Sequence, residues 1–204
     1  MNYQLCVGFD TLRIFIGLDI DAAIRERMTR YLEGVRGFAP EARWVKPESF
    51  HVTLKFIGEQ TPEQVEQIKR EMASVRATPF EVSFRGNGFF PNPRSPRVFW
   101  LGIEAGEQLP QLATAVDEAV SRTGTAREKN EYQPHLTLAR SGSGRPHPLP
   151  GDQPSPPLRR LAAKLKDMPA PEFGTMTARE FYLYESKLSP AGARYTKIAR
   201  FALE

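Results

Sequence analysis

Three histidines occur in this 204-residue chain, and two of them open the same pattern: His51-Val52-Thr53-Leu54 and His135-Leu136-Thr137-Leu138. From the chain's own threonine and leucine content, chance would produce such a pair less than about once in ten thousand. On a β-strand successive side chains alternate, so each motif presents an imidazole and a hydroxyl on one face and aliphatic groups on the other. Strict alternation assigns Val52, Leu54 and Phe56 to the apolar face of the first motif, and Leu136 and Leu138 to that of the second. Two imidazoles can divide the proton traffic of a displacement reaction. One, neutral, takes a proton from an attacking water, and the other, charged, gives one to the leaving oxygen. Threonine hydroxyls can donate to non-bridging phosphate oxygens. The chemistry that fits is displacement at a phosphate, with His51, His135, Thr53 and Thr137 as the site. A lone histidine beside an apolar strand is more often structural, and threonine is an ordinary strand former. Repetition of the pair at one step sets these residues apart. A zinc site needs three or four protein ligands, and no Asp, Glu or Cys recurs at regular spacing near either motif. Neither a metal nor a cofactor is expected.

Facing motifs need related scaffolds, and the chain reads as a duplication. Arg13-Ile14-Phe15-Ile16 resembles Arg97-Val98-Phe99-Trp100 at an offset of 84 residues, the offset that also relates His51 to His135 and Gly58 to Gly142. Residues 13–20 and 97–104 alternate as strands. Helical spacing follows each, through Ile24, Met28, Tyr31, Leu32 and Val35 in one half and Leu109, Leu112, Val116 and Val120 in the other. After the first motif, Thr61-Pro62-Glu63-Gln64 spells a capping box with proline in the first turn of a helix, and Val65, Ile68, Met72 and Val75 give its apolar stripe. After the second comes a loop, residues 141–157, in which 12 of 17 are Pro, Gly or Ser. Leu158, Leu161 and Leu165 then mark a short helix, and 179–186 with 194–202 a closing hairpin. The expected class is α+β: one bilobal domain over 1–204, two pseudo-symmetric antiparallel sheets with helices on the outer faces and a central cleft. The motif strands are expected at 51–57 and 135–140, and residues 1–11 as an N-terminal extension.

Bulk properties exclude other classes. Hydrophobic residues make up 40% and charged residues 25%, as in a globular protein, and the net charge of +4 suits an anionic ligand but not a DNA-coating protein. The single Cys6 forms no disulfide within the chain. No apolar run approaches a membrane span, and the start of the chain lacks the basic leader of a signal peptide. A cytoplasmic monomer without membrane or DNA partners is expected.

HVTLKFIG and YQPHLTLAR, with RIFIGLDI, WVKPESF, FFPNPRSPRVFWLGIE and FYLYESKLSPAGARYTKIARF in order around them, resemble the two-histidine phosphoesterases, and within them the RNA 2′,3′-cyclic phosphodiesterases, also called 2′-5′ RNA ligases. The resemblance covers residues 12–203. It implies a bilobal fold and metal-independent hydrolysis of a terminal RNA 2′,3′-cyclic phosphate to a 2′-phosphate. It places His51 as general acid and His135 as general base, with Thr53, Thr137 and Arg140 on the phosphate. Strict alternation turns Arg140 away from the site, so this role requires a bulge. Lys46, Lys55, Arg94 and Arg97 are candidates for holding the RNA backbone. Phe56, Phe89, Phe90, Trp100 and Tyr132 are candidates for stacking on the terminal base. His147 is read as a solvated loop residue. Other functions stay open at this point: the same site acting on a small cyclic nucleotide or ligating RNA halves, and a non-catalytic module that binds RNA ends.

Overall fold

The computed structural model describes residues 11–141, 155–189 and 192–204. The Gly142 match, His147, the N-terminal extension up to residue 10 and most of the Pro-rich loop lie outside the described residues. In chain order the elements are β1 (Leu12–Asp19), α1 (Ala22–Arg36), β2 (Arg43–Trp44), a 3-10 turn (Pro47–Ser49), β3 (His51–Gln60), α2 (Pro62–Met72), β4 (Phe80–Phe90), β5 (Val98–Glu104), α3 (Gln108–Ser121), β6 (His135–Arg140), α4 (Pro156–Leu165), β7 (Glu172–Ala178), β8 (Glu180–Ser189) and β9 (Gly192–Ala202).

The helices form where apolar residues recur every three or four positions. Ile24, Met28, Leu32 and Val35 are the buried stripe of α1, and Val65, Ile68 and Met72 that of α2. The capping box is present: the Gln64 amide N–H donates to Thr61 Oγ1 and the Thr61 N–H donates to the Gln64 side chain. In α4, Leu158, Leu161 and Leu165 are buried as expected, and the helix starts at Pro156, inside the stretch read as loop. Proline fits a first turn, whose N–H groups have no helical partner.

Two antiparallel sheets carry the site. One is four-stranded in the order β3-β1-β8-β9, the other five-stranded in the order β2-β6-β5-β4-β7. The closing hairpin β8–β9 therefore joins the N-terminal strands. Strand β4, from the first half, sits beside β5, and its alternating buried Phe80, Val82 and Phe84 carry the period-2 signal of a half-buried strand. Helices cross over as well: α1, which follows β1, packs on β7 of the other sheet, and α3, which follows β5, packs on β3. One hydrophobic cluster runs through both sheets and all four helices. A second small cluster, Phe15, Tyr182 and Tyr184 with Tyr195 against it, lies on the opposite face of the first sheet.

Both motif strands are bulged at the same place. In the β1–β3 ladder Gly17 pairs with Thr53 and Ile16 with Lys55, leaving Leu54 as the extra residue. In the β5–β6 ladder Trp100 pairs with Thr137 and Phe99 with Ala139, leaving Leu138 extra. A bulge puts two consecutive residues on one face and reverses the alternation beyond it. Leu54 and Lys55 are both buried, as are Leu138 and Ala139, so Phe56 and Arg140 return to the side of the threonines. This corrects the assignment of Phe56 to the apolar face and supplies the irregularity that Arg140 needed. The neighbouring strands are related by 83 residues, not 84: His51 faces Asp19 and His135 faces Gly102. The Arg13/Arg97 match in the sequence is thus one residue out of structural register.

Candidate active site

Each histidine begins its strand and is held in the same way. His51 Nδ1 lies 2.7 Å from the Ser49 carbonyl oxygen, and His135 Nδ1 lies 2.8 Å from that of Gln133. A carbonyl only accepts, so each Nδ1 carries the hydrogen, and each Nε2 is the nitrogen left for the cleft. The anchoring carbonyls stand two residues before each histidine, so the pair repeats in tautomer as well as in sequence.

The first sheet surrounds His51 with aromatic rings. Phe15 is 4.6 Å away between ring centroids, Tyr195 5.0 Å and edge-on, and Tyr184 6.2 Å. Gly17 is what allows β3 to close on β1 here, because a Cβ at this position would sit 2.7 Å from the Val52 carbonyl oxygen and 3.6 Å from His51 Cδ2. Burial pushes the imidazolium of His51 down to about 4. The Ser49 carbonyl and Asp19 act against that shift, while Arg140 and His135 add to it. His135 has Phe90 edge-on at 5.0 Å. Its pKa is also lowered, chiefly by burial and further by Arg140, against the Gln133 carbonyl. Strands β3 and β6 pack directly against each other, and the Tyr132 hydroxyl ahead of β6 donates to the Thr53 carbonyl, so the two motif strands lie side by side where the sheets meet.

Arg140 Nη2 reaches Thr137 Oγ1 at 3.5 Å. Asp19, the cross-strand neighbour of His51, is paired with Arg25 at 2.6 Å and with Lys197. Burial would raise its carboxyl, but the Lys197 and Ile20 N–H hydrogen bonds and the charges of Lys197 and Arg25 hold it below the ordinary carboxylate range. Tyr195 stands between the influence of Arg140 and Arg13. Its phenol is raised by burial, which outweighs both guanidiniums.

The remaining sequence candidates separate by face. Lys55 is no RNA contact: it is buried against α3, 2.5 Å from Asp117, and also donates to the Ala126 carbonyl at 2.9 Å. The bulge that released Phe56 sends Lys55 inward. Phe89 is buried and stacked on Phe99 at 5.0 Å, so it is core. Tyr132 is a tie, its hydroxyl donating to the Thr53 carbonyl at 2.9 Å. Phe56 is 52% exposed with the Arg13 guanidinium 4.9 Å above its ring. Phe90 and Trp100 pack together at 5.1 Å beside His135, and Trp100 lies over Gly88, where a Cβ would meet its ring at 2.2 Å. Lys46 and Arg94 are exposed, at the 3-10 turn and in the β4–β5 connection. Sequence reasoning missed Phe15, Tyr184, Tyr195 and Asp19. The available signal was that Phe15, Gly17 and Asp19 alternate on the strand paired with the first motif. Among the described residues no group of three or more His, Cys, Asp or Glu is placed to hold a metal.

Comparison with known proteins points to one family. The family LigT like Phosphoesterase matches residues 18–100 and again 101–195, one match per motif. The RNA 2′,3′-cyclic phosphodiesterase of Archaeoglobus fulgidus is 33% identical over 93% of this chain and 99% of that protein. Its namesake in Methanothermobacter thermautotrophicus is 34% identical over 94% and 99%. The crystal structure of Escherichia coli LigT complexed with 3′-AMP superposes with a TM-score of 0.72 at 27% identity, covering 95% of this chain and 99% of that one.

Proposed function

The chain belongs to the LigT like phosphoesterase family, and from that membership we propose that it hydrolyses a terminal RNA 2′,3′-cyclic phosphate to a 2′-phosphate, with His51 and His135 moving the two protons. The observation that carries the mechanism is the matched pair of imidazoles. Each gives Nδ1–H to a carbonyl two residues back, each leaves Nε2 free, and each stands one alternation step from a threonine hydroxyl. Water attacks phosphorus as His135 takes its proton. The bond from phosphorus to the ribose 3′-oxygen breaks as His51 protonates that oxygen. Thr53, Thr137 and Arg140 hold the non-bridging oxygens. RNA is the substrate class because the cyclic ester requires a 2′-hydroxyl.

Burial favours the neutral form of both imidazoles at neutral pH. The negative phosphate then raises the histidine that takes up the proton. The exposed ring of Phe56 on the cleft face serves as the stacking platform for the terminal base. A cytoplasmic location, a monomeric state and independence from metal complete the reading.

The test is metal-free. The protein is incubated with EDTA and an RNA oligomer ending in a 2′,3′-cyclic phosphate, and the product is identified. A 2′-phosphate end that forms with the wild type and disappears in His51→Ala and His135→Ala is expected. Retained RNA binding without product would make the site a phosphate clamp instead.

A further inference from the structure

Arg140 has a second guanidinium beside it. Strand β2 is only two residues long, and its register puts Arg43 directly opposite Arg140, with Trp44 opposite Ala139. Direct cross-strand partners share a face, with Cβ atoms about 5 Å apart. Trp44 confirms the phase: it turns inward, edge-on to Phe99 at 6.0 Å, and donates its indole N–H to the Ala39 carbonyl. Arg43 therefore faces the cleft side with Arg140, and its charge acts on Arg140 in the direction expected of a like-charged neighbour.

Like charges directly opposite on a sheet oppose pairing, and among the described residues neither guanidinium has a carboxylate within ion-pair distance. Arg25, Arg160 and Arg200 show the contrast, each paired to a carboxylate: Asp19, Glu41 and Glu180. Glu41, two residues before Arg43, is thus already engaged elsewhere. Both side chains are exposed, so the repulsion is tolerable in water and is relieved when anions lie along the row.

We propose that Arg43 binds the phosphodiester next to the reacting one, on the 5′ side of the terminal nucleotide, and so selects an RNA chain over a free nucleoside cyclic phosphate. This rests on the phosphodiesterase reading given above. Arg140 has Thr137 for the reacting phosphate, whereas Arg43 stands one strand further from the histidines, toward the edge of the sheet. A chain entering over that edge brings a second phosphate to the second guanidinium, whose planar fork matches it.

The experiment compares a dinucleotide ending in a 2′,3′-cyclic phosphate with adenosine 2′,3′-cyclic phosphate, for the wild type, Arg43→Gln and Arg43→Lys. Arg43→Gln is expected to lower kcat/KM on the dinucleotide about tenfold and to leave the mononucleoside substrate unchanged. The salt dependence of log kcat/KM on the dinucleotide should flatten by roughly 0.7, one single-strand phosphate contact. Arg43→Lys should keep the salt slope. Equal losses on both substrates would place Arg43 on the reacting phosphate, and no loss on either would leave it a surface charge; each overturns the proposal. Failure of the phosphodiesterase reading shows separately, as wild-type protein inactive on both substrates.

Discussion

Replacing Lys55 by methionine should weaken the fold and spare the chemistry. The Nζ of Lys55 lies 2.5 Å from Asp117 Oδ1, with the two side chains only 5% and 12% exposed. Breaking a buried ion pair by removing one partner costs about 3–5 kcal/mol, because the other charge stays buried. Asp117 keeps two further partners, Arg127 at 3.2 Å and the Glu128 N–H at 3.0 Å, so the lower end, about 3 kcal/mol, applies. For a chain of this size each kcal/mol moves the melting temperature by roughly 2–4 °C, which predicts a fall of about 6–12 °C by calorimetry. Asp117→Ala should cost more, since Lys55 would retain only the Ala126 carbonyl. Lys55→Met combined with Asp117→Leu should recover at least half of the loss. The Asp117 carboxyl is held below its ordinary value: burial opposes this, but the Lys55, Glu128 N–H and Arg127 hydrogen bonds outweigh it. Its stabilisation is therefore full above the unfolded carboxylate pKa and is lost as pH falls through the folded one, and the gap between wild type and variant should close in acid. Well below its melting temperature, Lys55→Met should hydrolyse cyclic-phosphate RNA at the wild-type kcat/KM. An unchanged melting temperature with a loss of kcat/KM on RNA would refute the inward placement of Lys55 and return it to the substrate.

Three further outcomes are expected. Burial takes both histidines below 6.5, so the singly protonated pair becomes scarcer as pH rises, and kcat/KM on a nucleoside 2′,3′-cyclic phosphate should decline from below pH 6.5 upward; a falling limb well above 6.5 would contradict the desolvated cleft. Gly17→Ala pushes a methyl group against the Val52 carbonyl beside His51, and a strain of about 1–3 kcal/mol should appear in denaturant melts together with a marked loss of kcat. Phe56→Ala removes an exposed ring, so stability should hold while KM rises by the equivalent of about 1–3 kcal/mol of base stacking; an unchanged KM would take the platform away from Phe56.

The candidate site was legible because proton chemistry and strand alternation both leave short-range marks. His51, Thr53, His135 and Thr137 announce themselves by type and step, and the helical stripes of α1 to α4 by period. Less legible was whatever depends on pairing partners far along the chain. Nothing local says that β8 and β9 complete the sheet of β1, or that Tyr195, 144 positions from His51, closes the wall around it. The bulges were invisible for another reason. A run such as Leu54-Lys55-Phe56 reads equally well in either phase, and only the ladder with β1 shows that Lys55 goes in and Phe56 out. For Arg140 the chemistry demanded a bulge that the alternation rule alone would have denied.

Phe56 and Arg140 occupy the same position in the two repeats, each just beyond its bulge, and they could hardly differ more. Were both positions filled alike, a cleft with two equivalent histidines would accept a nucleotide in either of two opposed directions, and water could reach the phosphate from the wrong side in half of the encounters. On the proposed reading, a ring for the base at one position and a guanidinium for the phosphate at the other would give the ligand a head and a tail before any proton moves. In a duplicated scaffold, the direction of the reaction can be written into a single pair of residues that move no proton.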